Sequence, residues 1–335
     1  MTTDVEPQAG PGRPPRCLLV LPQRLGDALA FRGLIASVAS AGRQLITVAG
    51  DDASSVLDPM LLALRLEHTP DHLEAPLSLE RRELGGKKLR QLACDEALVL
   101  DGSWWLARAA ACGIPRRAGA RGLYGPFATE RFPAASEHPT DTAPRWVEAL
   151  GLPWVEASTV LVSKAWRRLG KERLQNAKVD LDARTLGVYR GTAGGRSGSW
   201  SDKAFEELLR QVRRRHPKLQ IVILSTHAKR DLWKSVLLYE NTGKIHPVIG
   251  PDLNLDGLGA VMSYLDLFVA ADSSMLQVAA AVGTPTLGLF ERRALRLAPR
   301  GPAADSIQRS PLSRVSVDDV LERVEILLQP PSTTA

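Results

Sequence analysis

Residues 265–290 read LDLFVAADSSMLQVAAAVGTPTLGLF, and the order of residue types in this stretch decides the fold class. Residues 267–270 are a short apolar run suited to a fully buried strand. The run stops at Asp272-Ser273-Ser274, residues that favour turns and helix N-caps. Residues 275–282 then read as a short helix of small side chains. Gly283 suits the left-handed position just past a helix end, and Pro285 prevents the helix continuing. Residues 286–290 are apolar enough to form the next buried strand. A strand, loop, helix and strand in that order imply a parallel sheet. The loop puts one carboxylate, two hydroxyls and the N–H groups of a helix start outside the carboxyl end of a strand, where open α/β sheets bind ligands. Those amides and the positive helix end favour a phosphate.

The same alternation runs outward from this stretch in both directions. Residues 17–21 read as a buried strand, 22–26 as a turn and 27–39 as a helix with Leu29, Leu34 and Val38 on its apolar face. A second strand is expected at 45–49, and a helix at 77–93 that carries Arg81, Arg82, Lys87, Lys88 and Arg90. Residues 96–100 form a strand, followed by Asp101-Gly102-Ser103 and a helix through 111. Trp104 and Trp105 open that helix and read as core, with a sugar contact as the alternative. Residues 115–137 look irregular and basic, 140–150 helical, and 163–183 a charged helical connection between two domains.

In the second half, 186–189 is a strand, 190–199 a Gly-rich loop and 201–215 a helix announced by a Ser cap and Asp202 in its first turn. Gly191, Gly194, Gly195 and Gly198 allow the backbone to fold around an anion, with Thr192, Arg196 and Ser199 as donors. A loop without a ligand is the alternative. Strands at 220–224 and 246–249, a helix at 257–263 and a closing amphipathic helix at 317–328 complete the pattern.

At 335 residues the chain has room for two domains, and 44% hydrophobic with 24% charged residues is a globular composition. No apolar run approaches a membrane span, and the N-terminus MTTDVEPQAGPGRPP lacks the parts of a signal peptide, so a cytoplasmic protein is expected. That Pro- and Gly-rich start predicts a disordered tail over 1–15. Cys17, Cys94 and Cys112 lack metal-ligand spacing and read as reduced, mostly buried thiols; no metal site is expected. The net charge of +6 and pI near 9.4 suit an anionic partner, although a plain solvated surface gives the same totals. Only 5% of residues are aromatic and no nucleic-acid module is visible, so nucleic acid is excluded as partner. Peripheral contact with an anionic membrane fits better.

Asp272, Ser273, Ala279, Ala280, Ala281, Gly283, Pro285, Thr286 and Phe290 together resemble the C-terminal signature of glycosyltransferase family 9, the heptosyltransferases of lipopolysaccharide assembly. Ser274 stands where the family usually has Gly, and Gln277 where it usually has His. At the other end, Arg24-Leu25-Gly26-Asp27 resembles the family motif in which Gly-Asp follows the first strand. On residues alone Asp27 caps a helix; the resemblance implies that it is the catalytic base. The segment ending in Trp200 resembles the family's first C-terminal loop, with Gly198 where a Lys is usual and Arg196 as a substitute charge.

The resemblance implies a GT-B type α/β fold, two Rossmann-like domains with parallel sheets facing a cleft. On this reading 1–15 is a tail, 16–165 the acceptor-binding domain, 166–183 a linker, 184–314 the nucleotide-sugar domain, 315–329 a closing helix and 330–335 a second tail. By analogy, the closing helix is expected to pack back across the interdomain cleft. The implied reaction is inverting, metal-independent transfer of a sugar, heptose from ADP-heptose, to a lipopolysaccharide core or other glycan or glycolipid acceptor. The nucleotide sugar is a co-substrate, and no cofactor is implied. Asp27 is the implied catalytic residue; Thr192, Arg196, Ser199, Asp272, Ser273, Ser274 and Gln277 bind the donor; Arg24, Arg117 and Arg121 bind the acceptor. The alternatives are a relative with another nucleotide sugar or acceptor, and a noncatalytic carbohydrate-binding scaffold.

Overall fold

The structure, a computed structural model, describes residues 13–22, 25–49, 77–80, 84–100, 103–120, 122–132, 139–156, 162, 164–190, 200–226, 229–243, 247–250, 252–253, 255–271, 273–291, 298–300 and 303–329. The chain divides into two compact units, Met1–Ala157 and Ser158–Ala335.

The first unit contains β1 (Arg16–Val20), α1 (Leu25–Ala30), α2 (Arg32–Ser40), β2 (Gln44–Ala49) and β3 (Leu77–Glu80). It continues with α3 (Gly86–Gln91), β4 (Glu96–Val99), α4 (Trp105–Ala111), β5 (Arg116–Ala120), β6 (Glu130–Phe132) and α5 (Pro139–Ala149). Its strands form one sheet in the order β3-β2-β1-β4-β5-β6, and every neighbouring pair is parallel. This is a Rossmann order, with the strand sequence reversing between β1 and β4. Leu18 and Val20 of β1 pack with Ala97 and Val99 of β4 and with Trp105, Leu106 and Ala109 of α4.

The second unit contains α6 (Lys164–Asn176), β7 (Thr185–Tyr189), α7 (Asp202–Arg215), β8 (Gln220–Leu224), α8 (Lys229–Asn241) and β9 (Val248–Ile249). It ends with α9 (Leu255–Met262), β10 (Leu267–Ala271), α10 (Ser274–Ala281), β11 (Thr286–Phe290), β12 (Ala304–Gln308) and α11 (Val317–Leu327). Its sheet runs β12-β11-β10-β7-β8-β9, again all parallel. Numbered from its own first strand this is the same Rossmann order, and the reversal lies between β7 and β10. The amphipathic α7 shows how the helices are fixed: Phe205, Leu208, Leu209 and Val212 make one buried stripe. Asp202 lies in its first turn and Arg213, Arg214 and Arg215 in its last, each suited to the helix dipole.

Several expectations change. The helix expected at 27–39 is two helices, interrupted at Phe31, whose buried ring lies 6.0 Å from that of Trp146. Residues 77–80, expected inside a helix, are a strand on the edge of the sheet beside β2. The stretch 115–137, expected to be irregular, supplies β5 and β6. The segment 163–183, read as a charged helical connection, carries α6, which packs on α9 so closely that a Cβ on Gly170 would sit 2.6 Å from the Ala260 carbonyl carbon. Val320, Leu321 and Val324 of the closing helix share a core with Phe205, Leu208 and Leu209. Residues 13–15, assigned to a disordered tail, are fastened: Arg13 pairs with Asp95 at 3.0 Å, and the Pro15 carbonyl accepts from the Gln44 amide at 2.8 Å. Residues 1–12 and 330–335 lie outside the described residues.

Arginine forks tie the first unit together. Arg13 and Arg16 donate to the carbonyls of Ala93 and Leu92, just past the end of α3. Arg117 donates to the carbonyls of Ile114, Pro115 and Phe127, and Arg108 to that of Leu84. At the amino end of the sheet Glu96 is buried between Arg43 and Arg116, and Arg116 also holds Glu130 at 2.6 Å. Cys17 and Cys94 are buried, and Cys112 partly so; all three are free thiols. Among the described residues no helix is long and apolar enough to cross a membrane.

Candidate active site

Ligands of doubly wound sheets bind outside the carboxyl ends of the strands on either side of the order reversal. In the first unit those strands are β1 and β4, and in the second β7 and β10. The chain leaves them into residues 21–27, 100–104, 190–199 and 272–274, the stretches that the sequence singles out.

After β10, Ser273 takes extended backbone angles and its hydroxyl accepts from the Met275 amide at 3.1 Å, so α10 begins with a serine cap. Ser274, the first helical residue, is exposed, whereas Gln277 is only 4% exposed. The far end of α10 closes on Gly283, at φ 84°, as expected from the sequence. The Gly283 amide reaches the Ala280 carbonyl and the Thr284 amide the Ala279 carbonyl, a Schellman ending. Thr284 then bonds the Met262 carbonyl at 2.7 Å through its hydroxyl, which fixes α10 against α9. Asp272 lies outside the described residues.

After β7 comes Arg190, whose side chain is 4% exposed. It pairs with Asp202 at the start of α7 and donates to the Lys234 carbonyl on α8 at 2.9 Å. Thr192, Arg196 and Ser199 lie outside the described residues. The chain re-emerges at Trp200, which is buried, donates to the Val315 carbonyl at 2.9 Å and meets Phe205 edge-on at 4.7 Å.

In the first unit, Asp27 lies in α1, the helix that follows β1; its side chain and Arg24 are outside the described residues. Arg32, at the start of the next helix, is partly buried. Burial pulls its pKa below the usual arginine value, while the Glu156 carboxylate opposes the shift. After β4, Trp105 is core and Trp104 is 45% exposed, its ring stacked on that of Trp105 at 5.1 Å. Arg108 lies 5.0 Å from the Trp104 ring centre, within cation–π range.

Arg117 departs from the expectation made for it. It belongs to the amino end of β5, away from the carboxyl ends of the strands, and it fastens three main-chain carbonyls. Arg121 is outside the described residues. Sequence reasoning did not foresee that Arg190 turns inward to pair with Asp202.

The model of glycosyltransferase family 9 (heptosyltransferase) matches residues 82–309. Among solved structures, the glycosyl transferase family 9 protein from Veillonella parvula DSM 2008 superposes with a TM-score of 0.73 at 16% identity, covering 94% of this chain and 97% of that one. The E. coli heptosyltransferase WaaC with ADP gives a TM-score of 0.70 at 16% identity over 93% and 99% of the two chains. E. coli ADP-heptose lps heptosyltransferase II gives 0.67 at 18% identity over 93% and 98%. No curated protein matches the sequence. These structural likenesses show the GT-B fold, and the family match spans more than half of the chain. The chain therefore belongs to glycosyltransferase family 9, the heptosyltransferase family, and is a glycosyltransferase.

Proposed function

We propose that the chain transfers a sugar, heptose from ADP-heptose, to a hydroxyl of a lipopolysaccharide core or other glycan acceptor, with inversion and without a metal ion. One observation carries the reading: the four stretches singled out by sequence leave the four strands that flank the two order reversals. Asp27 takes the proton of the acceptor hydroxyl as that oxygen attacks the anomeric carbon. The new bond forms opposite the departing diphosphate, the old carbon–oxygen bond breaks, and the configuration inverts. Thr192, Arg196, Ser199, Ser273 and the Ser274 helix start take up the charge that grows on the diphosphate, the role a divalent metal fills elsewhere. Asp272 repels a diphosphate and suits a sugar hydroxyl. Gln277 keeps a donor and an acceptor for the sugar or phosphate but carries no proton-transfer role. Arg24 and Arg121 are the acceptor contacts, while Arg117 bonds main-chain carbonyls.

The positive net charge supports peripheral contact with an anionic bilayer from the cytoplasmic side. Gly198, Ser274 and Gln277, which depart from the family pattern, favour a second reading in which the donor or acceptor has changed.

A melting panel with ADP-, UDP-, GDP- and TDP-sugars tests the donor, since a ligand of the folded state raises its melting temperature. ADP-heptose should raise it in both the parent and Asp27→Ala. Transfer should fall about 10²- to 10⁴-fold in Asp27→Ala alone. A response to another nucleotide supports the second reading, and binding without turnover by the parent supports a scaffold.

A further inference from the structure

We propose that Trp104 is a stacking platform for a sugar ring of the acceptor, an aromatic contact additional to Arg24 and Arg121. The inference rests on the transferase reading above and deepens its acceptor side.

Trp104 stands between the end of β4 and the start of α4, at the carboxyl end of a strand that flanks the order reversal of the first sheet. Its ring stacks on that of buried Trp105, 5.1 Å from centre to centre and 21° from parallel. The Arg108 guanidinium lies 5.0 Å from the Trp104 ring centre and 5.2 Å from that of Trp105. The three centres make a nearly equilateral triangle, so the guanidinium sits beside Trp105 and not opposite it. One face of Trp104 is thus occupied from within the protein, and its 45% exposure belongs to the other face and the ring edges. Arg108 is itself tied to the Leu84 carbonyl. An indole supported in this way has little side-chain freedom to lose when a ligand lies on it.

Stability does not account for a tryptophan here. The position is the N-cap of α4, where Ser, Thr, Asp and Asn are favoured, and no side chain caps the helix. Burial does not account for it either, because Trp105 and not Trp104 belongs to the apolar core of the sheet. What an exposed, supported indole offers is a flat apolar surface with a negative π face. The C–H groups on one side of a pyranose ring are apolar and weakly positive, and match it. An anion is repelled by the same face, which assigns the platform to a sugar ring and not to a diphosphate. In the reading above this unit binds the acceptor, which makes the acceptor's ring the occupant.

The test measures transfer from ADP-heptose to deacylated, heptose-deficient lipopolysaccharide by the full chain, for the parent, Trp104→Ala, Trp104→Phe and Trp233→Ala. Trp233, on α8 of the second unit, is 64% exposed and controls for the loss of an exposed indole as such. The KM for the acceptor should rise about fivefold or more in Trp104→Ala and stay within about threefold of the parent in Trp104→Phe, which keeps an aromatic face. The KM for ADP-heptose should stay within about twofold of the parent in all three variants, and so should the acceptor KM in Trp233→Ala. An unchanged acceptor KM in Trp104→Ala overturns the inference. So does an equal rise in the two KM values, which would give Trp104 a structural role only. A parent that performs no transfer between this pair overturns the donor and acceptor reading, and this inference with it.

Discussion

The two units share one strand order and end their helices differently. In the first unit, α2, α3 and α4 start without a side-chain cap, and arginines bond the carbonyls at or beyond the ends of α3 and α4. In the second, α7, α10 and α11 start on Ser201, Ser273 and Ser316, each accepting from an amide of the first turn. Serine caps settle the amide-rich, positive ends of helices, the ends that receive anions. Arginine forks settle carbonyls, the negative ends. The unit proposed to hold a diphosphate is thus the one in which three helix starts are capped by serine.

Substitutions can break that contrast. The largest effect is expected from Trp200→Ala, which empties a buried site and orphans the Val315 carbonyl; urea unfolding should show a loss of about 3–5 kcal/mol. In the first unit, Arg117→Lys keeps the charge and loses the fork on three carbonyls, and a loss of about 1–2 kcal/mol is expected in the same assay. A loss of only a few tenths there would mean that the forks are decoration. Ser273→Ala should cost about 1 kcal/mol and Ser273→Gly only a few tenths, because glycine reaches the cap conformation freely.

A further effect belongs to the first unit and depends on pH. Burial, and then the Asp95 carboxylate, pushes the Cys94 thiol from 9.0 up to about 11. The folded state therefore holds a proton that the unfolded chain releases first. Stability from this group is complete below the unfolded value and is lost as pH rises towards about 11. Cys94→Ala should flatten that part of the urea-midpoint profile, whereas a profile unchanged by the substitution would assign the alkaline loss to other groups.

The central strands were legible because burial on both faces leaves a plain apolar run, as in LLV of β1 and LFVAA of β10. The strands β3, β5, β6 and β12 were not. β3 is LSLE, too short for its period to separate strand from helix. β5 is RRAGA, whose Arg116 is accommodated by Glu96 and Glu130 and whose Arg117 by main-chain carbonyls rather than by apolar neighbours, and β12 is ADSIQ at the sheet edge. Such strands are defined by partners distant in sequence, which local pattern does not encode. At the site, the cap on Ser273 and the turn at Gly283 follow from local chemistry and were legible. The Arg190–Asp202 pair was not, since nothing local says that a charge after a strand will turn inward.

The forks of the first unit also change what the isoelectric point means. Arg13, Arg16, Arg108 and Arg117 each end on main-chain oxygen, so part of the basic composition is scaffold. Exchanging arginine for lysine throughout, a common route to better-behaved preparations, would leave the titration curve nearly intact and unfasten the loops it was meant to preserve.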